Sequence, residues 1–178
     1  MKPWKPKATL EDNAIGLSKK VTAKAVSDLD KHLASLFVLF HQYQKHHWLV
    51  EGPQFRDLHL FLGEAYEEVH KQADKVAERI TALGGIPTSD PVAQAKIAYV
   101  THEPEGTFRI RAMLGLDRTH EGEIAVRLRK TYQLAGKLGD FGTAHLVEEI
   151  LLDTEDRAHH LDHFLGADSL EIGLGGGS

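Results

Sequence analysis

Four side chains able to ligate a metal, His59, His70, Asp74 and Glu78, recur at helical spacing, and a His47-Trp48 step lies just upstream. At ~100° per residue the four fall within an arc of roughly 100° and share one helix face. Imidazole nitrogen and carboxylate oxygen together suit divalent first-row metals. Yet at ~1.5 Å per residue His59 and Glu78 stand about 28 Å apart along the axis, too far for one ion. A second copy of the helix, packed antiparallel across a two-fold axis, removes the difficulty. Setting residue 59 opposite residue 78 of the copy also sets residue 63 opposite residue 74. His59 then faces Glu78 and Asp74 of the other chain. The outcome is two identical metal sites about 22 Å apart, each shared between chains.

The elements that position these residues are legible from apolar spacing. Helix A is predicted from about Lys20 to Leu49, with Val26, Leu29, Leu33, Leu36, Phe37, Phe40 and Tyr43 as its core stripe. Glu51-Gly52-Pro53 breaks it, and Pro53 suits the first turn of helix B. Helix B runs to about Leu83, where Gly84-Gly85 stops it. A crossover follows to about Gly106, its prolines 87, 91 and 104 forbidding one continuous helix, with room for a short helix over Pro91–Ile97. Helix C is expected over about Thr107–Leu138. Helix D is expected to about Leu165, with Thr143 as its cap. Two short-loop pairs joined by a long crossover make an all-α, ferritin-like four-helix bundle rather than an up-down-up-down one. Residues 19–166 form that bundle, between a flexible N-terminal tail (1–18) and a flexible C-terminal tail (167–178). In this topology helices A and D run parallel, which brings His47 and His163 to one end.

Composition narrows the function. The 178 residues carry 21 basic and 26 acidic side chains, a formal charge of −5, which argues against nucleic-acid binding by bulk electrostatics. No cysteine is present, so disulfides and thiolate metal sites are excluded. Neither a signal peptide nor a membrane span is expected, and a cytoplasmic location is the default. Twelve histidines support a metal-handling reading.

The run His47-Trp48-Leu49-Val50-Glu51-Gly52-Pro53-Gln54-Phe55, then Leu58-His59, Ala65-Tyr66-Glu67-Glu68, Ala73-Asp74-Lys75-Val76-Ala77-Glu78-Arg79-Ile80 and Leu83-Gly84-Gly85-Ile86-Pro87, resembles the Dps family of mini-ferritins. The resemblance implies a hollow homo-dodecamer built from two-fold dimers. It implies a ferroxidase that oxidises Fe(II) to Fe(III), preferentially with hydrogen peroxide, and stores ferric mineral. By position it assigns the iron ligands to His47 and His59 of one subunit and to Asp74 and Glu78 of its neighbour. Where the family usually carries an aspartate one turn after the second histidine, this chain has Gly63. A gap is therefore expected at the metal, to be filled by His70 of the neighbouring chain or by His163. Such a histidine-rich site would still take iron but would also favour zinc. His159 and His160, next to His163, read as surface residues or a second metal patch.

Two rival readings stand beside this one. Glu67-x-x-His70, Asp117-x-x-His120 and Asp156-x-x-His159 match the spacing of di-iron carboxylate bundles. Helix A, however, has no Asp or Glu between Leu33 and Val50, which disfavours a centre inside one bundle. The other rival is a DNA-binding shell with little ferroxidase activity. Lys2, Lys5 and Lys7, with Lys19 and Lys20, would supply weak basic tails acting by avidity. Asp140, Glu148 and Glu149 are weak candidates for acidic pores.

Overall fold

The computed structural model describes residues 1–166 and places five helices among them: α1 (Lys19–Leu49), α2 (Phe55–Ala82), α3 (Pro91–Ile97), α4 (Ile110–Lys137) and α5 (Phe141–Phe164). α1 packs along α2 and α4 along α5, while α3 and α4 also meet α1. This is the expected all-α bundle with a helix-bearing crossover. Its core is built from the apolar faces of the long helices: Leu29, Leu33, Leu36, Leu39 and Tyr43 of α1, Leu58, Leu62, Val69, Val76 and Ile80 of α2, Ile124 and Leu128 of α4, and Val147, Ile150 and Leu161 of α5. No helix of the described residues is long and apolar enough to cross a membrane. The expected C-terminal tail at 167–178 lies outside the described residues.

Three boundaries differ from the sequence reading, each for a local reason. α2 begins at Phe55, two residues after Pro53, because Gly52 turns the chain at φ +95°. α4 begins at Ile110 rather than Thr107, since Arg109 is still extended at φ −62°, ψ 140°. Asp140, not Thr143, caps α5: its carboxylate accepts from the Thr143 backbone N–H (3.0 Å) and hydroxyl (2.6 Å). It also takes Arg79 Nη2 at 2.6 Å and is buried, so Asp140 is a cap and an ion-pair partner rather than a pore-lining acid.

Residues 1–18 precede α1 and touch the bundle. Glu11 N–H donates to the Gly84 carbonyl at 2.9 Å, just past the end of α2. Gly84 has φ +85°, and a Cβ there would collide with the Glu11 carbonyl, so glycine serves both the turn and the close approach. Lys7 bonds the Ile86 carbonyl and lies 2.9 Å from Asp30 of α1.

His32 of α1 shows how the crossover is tied down. Its Nδ1 lies 2.6 Å from the Tyr99 hydroxyl, and its Nε2 lies 2.8 Å from the Thr131 hydroxyl of α4. Burial, then the charges of Arg127 and Lys31, push its pKa down to about 4. A depressed base binds fewer protons folded than unfolded, so stability is lost as pH falls from about 6.5 towards 4. The loss amounts to about 3 kcal/mol for a shift of this size. Replacing His32 by glutamine should flatten that part of the stability curve in denaturant titrations run from pH 7 to 4, even if the variant is less stable throughout.

Candidate metal site

His47 closes α1 and His59 sits in the second turn of α2, across the Val50–Gln54 turn. Their rings stack at 3.7 Å between centroids and 20° between planes. Each ring also bonds the other's main chain: His47 Nδ1 to the His59 carbonyl at 2.8 Å, and His59 Nδ1 to the His47 carbonyl at 2.9 Å. A carbonyl only accepts, so both Nδ1 atoms carry the proton and donate it. In the neutral imidazoles both Nε2 lone pairs are therefore left for a metal, and both rings are held in orientation. The same bond satisfies the His47 carbonyl, one of the last four of α1 without a helical partner. Phe55 stacks on the outer face of His59 at 4.9 Å, and Tyr66 meets His47 edge-on at 5.3 Å.

Gly63 leaves room for the clamp. Residue 63 lies one turn beyond His59 on the same face, and a Cβ there would stand 3.2 Å from His47 Cε1 and 3.3 Å from its Nδ1. The space expected to be a gap is thus occupied by the chain's own His47 ring. The two residues expected to fill it have other neighbours. His70 lies against Phe40 (5.1 Å) and Phe37 (6.2 Å), and His163 Nε2 faces His159 Nε2 at 3.1 Å, so these two α5 imidazoles form an exposed pair of their own.

Asp74 and Glu78 are exposed on α2, one turn apart, and neither carboxylate has an ion-pair partner among the described residues. Of the four principal ligands the single chain joins only the two histidines. Among the described residues no three His, Asp or Glu converge to hold an ion. Helix geometry requires as much, because His59 and Asp74 are about 22 Å apart along α2. Trp48 is exposed beside the clamp.

The bundle interior is occupied by something the sequence reading did not find. Arg157 of α5 is buried, donating Nε to Glu121 Oε1 at 2.6 Å, with Glu68 and Gln72 of α2 as further partners. Tyr43 donates to the same Glu121 oxygen at 2.7 Å. One layer further, His46 Nδ1 donates to Asp117 Oδ2 (2.7 Å), Gln42 donates to Asp117 Oδ1 (2.8 Å), and Lys45 lies 2.6 Å from Glu103 of the crossover. The Asp117-x-x-His120 pair therefore belongs to a hydrogen-bonded polar core. Its positive charge includes a guanidinium, which leaves no need for a metal. Burial raises the Glu121 pKa more strongly than Arg157 and the Tyr43 hydrogen bond lower it. Arg157 is pushed up, its carboxylate partners outweighing the cost of burial.

Comparison with known proteins follows the same line. Residues 26–170 match the ferritin-like domain family. The chain is 44% identical to the DNA protection during starvation protein of Halobacterium salinarum, over 89% of this chain and 87% of that one. It is 40% identical to a nutrient stress-induced DNA-binding protein of a Synechococcus species, over 92% and 93% of the two chains. A crystal structure of an archaeal Dps homologue from Halobacterium salinarum superposes with a TM-score of 0.92 at 41% identity, covering 96% of this chain and 95% of the other.

Proposed function

The chain belongs to the Dps family of ferritin-like proteins, and from that premise we propose that it is a cytoplasmic ferroxidase and iron-storage subunit. Fe(II) is the substrate. It binds between His47 and His59 of one chain and Asp74 and Glu78 of a two-fold-related chain in a homo-dodecamer. Hydrogen peroxide takes one electron from each of two Fe(II) ions and, with two protons, leaves as two waters. The ferric product is stored inside the shell. The observation carrying this reading is the reciprocal His47–His59 clamp, which spends both Nδ1 protons on main-chain carbonyls and presents two Nε2 donors. The carboxylates of Asp74 and Glu78, with no ion-pair partner among the described residues, complement them as hard oxygen donors that favour the ferric product.

The test is anaerobic Fe(II) loading followed by a peroxide pulse, reading Fe(III) absorbance and stoichiometry. Fast oxidation near two irons per peroxide supports the reading, and no acceleration over buffer refutes it. Two imidazoles also suit zinc, which should compete with Fe(II) and slow the reaction. Gly63→Asp supplies an oxygen donor and crowds the His47 ring. It should weaken zinc inhibition about tenfold relative to iron uptake, the scale on which small changes around a site alter metal affinity. Unchanged affinities for both metals would show that Gly63 does not tune the site.

The second reading is a DNA-protecting shell with little ferroxidase activity. It is favoured by the names of the two relatives, which refer to DNA protection and DNA binding. A mobility shift at moderate salt, with and without residues 1–10, separates it from the first.

A further inference from the structure

A basic surface that sequence order disperses is assembled where α1 runs antiparallel to α4. On α1, Lys20, Lys24 and Lys31 fall within an arc of roughly 40°. On α4, the stretch between Glu123 and Asp140 contains Arg127, Arg129, Lys130 and Lys137 and no acidic residue. Arg129 is drawn to Glu155 of α5, but Lys130 has no ion-pair partner among the described residues. The two helices bound a cleft of about 210 Å³ whose rim carries Lys31, Arg127 and Lys130, with Asp28 beside them and Glu123 bonded to Arg127. Asp28 offsets Lys31 at 3.9 Å and Glu123 offsets Arg127 at 3.0 Å, so the rim's excess positive charge rests on Lys130.

The floor carries one hydroxyl free to donate. Tyr99, His32 and Thr131 line it, the imidazole bridging the two hydroxyls. A neutral imidazole donates through one nitrogen and accepts through the other, so it consumes the proton of only one hydroxyl. The hydroxyl that receives the ring N–H keeps its own O–H to donate elsewhere. Arg127 is pre-positioned, its Nε bonded to Glu123 at 3.0 Å and its guanidinium 5.1 Å from the Tyr99 ring centroid. Its terminal nitrogens remain to engage a planar or tetrahedral oxyanion.

We propose that this α1–α4 cleft binds a phosphate group, held by Lys31, Arg127 and Lys130 on the rim and by a hydroxyl of the floor. A phosphate, with several oxygens, can take Lys130, the terminal nitrogens of Arg127 and a hydroxyl donor together, which a single carboxylate cannot. The ligand is free phosphate or the phosphate of a nucleic-acid backbone, the two sharing this chemistry. The site is independent of iron oxidation.

The experiment uses the assembled full-length protein in a phosphate-free buffer at low ionic strength, titrated calorimetrically with inorganic phosphate. A twelve-base-pair duplex is titrated separately. Lys130→Gln should weaken phosphate binding about tenfold, and Arg127→Gln/Lys130→Gln should abolish it, as loss of charge-assisted bonds implies. Both side chains are exposed, so the fold should survive, and Lys96→Gln on α3 is the control that should bind normally. Saturable phosphate binding lost in the double variant, with duplex binding unchanged, identifies free phosphate as the ligand. Loss of both identifies the nucleic-acid backbone. Absence of binding by either probe, or binding that the double variant leaves intact, overturns the proposal.

Discussion

Replacing Glu78 by alanine is expected to slow peroxide-driven Fe(II) oxidation by about 100-fold or more, since even residues that only orient metal ligands change affinity or activity 10–100-fold. The carboxylate is exposed and has no ion-pair partner among the described residues, so its loss should leave the fold of the chain intact. The effect should therefore appear in the oxidation rate and not in the melting temperature. Glu78 lies far along α2 from the His47–His59 clamp, and the variant thus tests the two-chain arrangement as well as the residue. Mixing a Glu78→Ala subunit with a His59→Ala subunit gives a sharper readout. If ligands come from different chains, each mixed dimer has one site missing both groups and one site intact. Co-assembled shells should then recover activity that neither parent has. A normal rate in Glu78→Ala alone would refute the site assignment.

Arg157→Met should strongly destabilise the bundle. Removing one partner of a buried ion pair typically costs about 3–5 kcal/mol, because the remaining charge is stranded. For a chain of this length that lowers the melting temperature by roughly 10 °C. Glu121, already raised by burial, would respond by taking up a proton. A carboxyl that is protonated when folded and ionised when unfolded loses stability as pH rises, so the deficit should grow from pH 5 to 8. Arg157→Met/Glu121→Leu removes both charges and should recover much of the loss, leaving Glu68 free on its more exposed side. If the double variant is no more stable than the single one, the network contributes more than charge balance.

The helix plan was legible because four long apolar stripes, two glycine stops and a proline-punctuated crossover each act over a few residues. The crossover helix Pro91–Ile97 was placed from one proline and its spacing. The His47–His59 pairing was legible in its residues but not in its geometry, since two rings trading Nδ1 protons for each other's carbonyls depends on a turn angle no spacing reveals. Gly63 omits the carboxylate the resemblance expects, and the space it leaves is taken by the His47 ring. The largest omission was the interior. Tyr43, Glu121 and Arg157 lie on three helices, and nothing local marks a single arginine 36 residues from its carboxylate as a buried partner. The basic α1–α4 surface escaped for the same reason, because its lysines are consecutive only in space.

The contacts of the N-terminal segment bear on how any polyanion would see it. Lys5 is paired with Glu11 at 2.5 Å, Lys7 with Asp30 at 2.9 Å and Lys19 with Asp12 at 3.1 Å, while Lys2 has no such partner among the described residues. Cations already matched to carboxylates displace few condensed ions when a nucleic acid arrives, because protein anions must be released in exchange. Each fully engaged cation steepens the dependence of log affinity on log salt by about 0.9. The segment and the first residue of α1 would thus contribute a slope near that of one lysine rather than four, and their lysine count overstates their reach by the number of acids that accompany it.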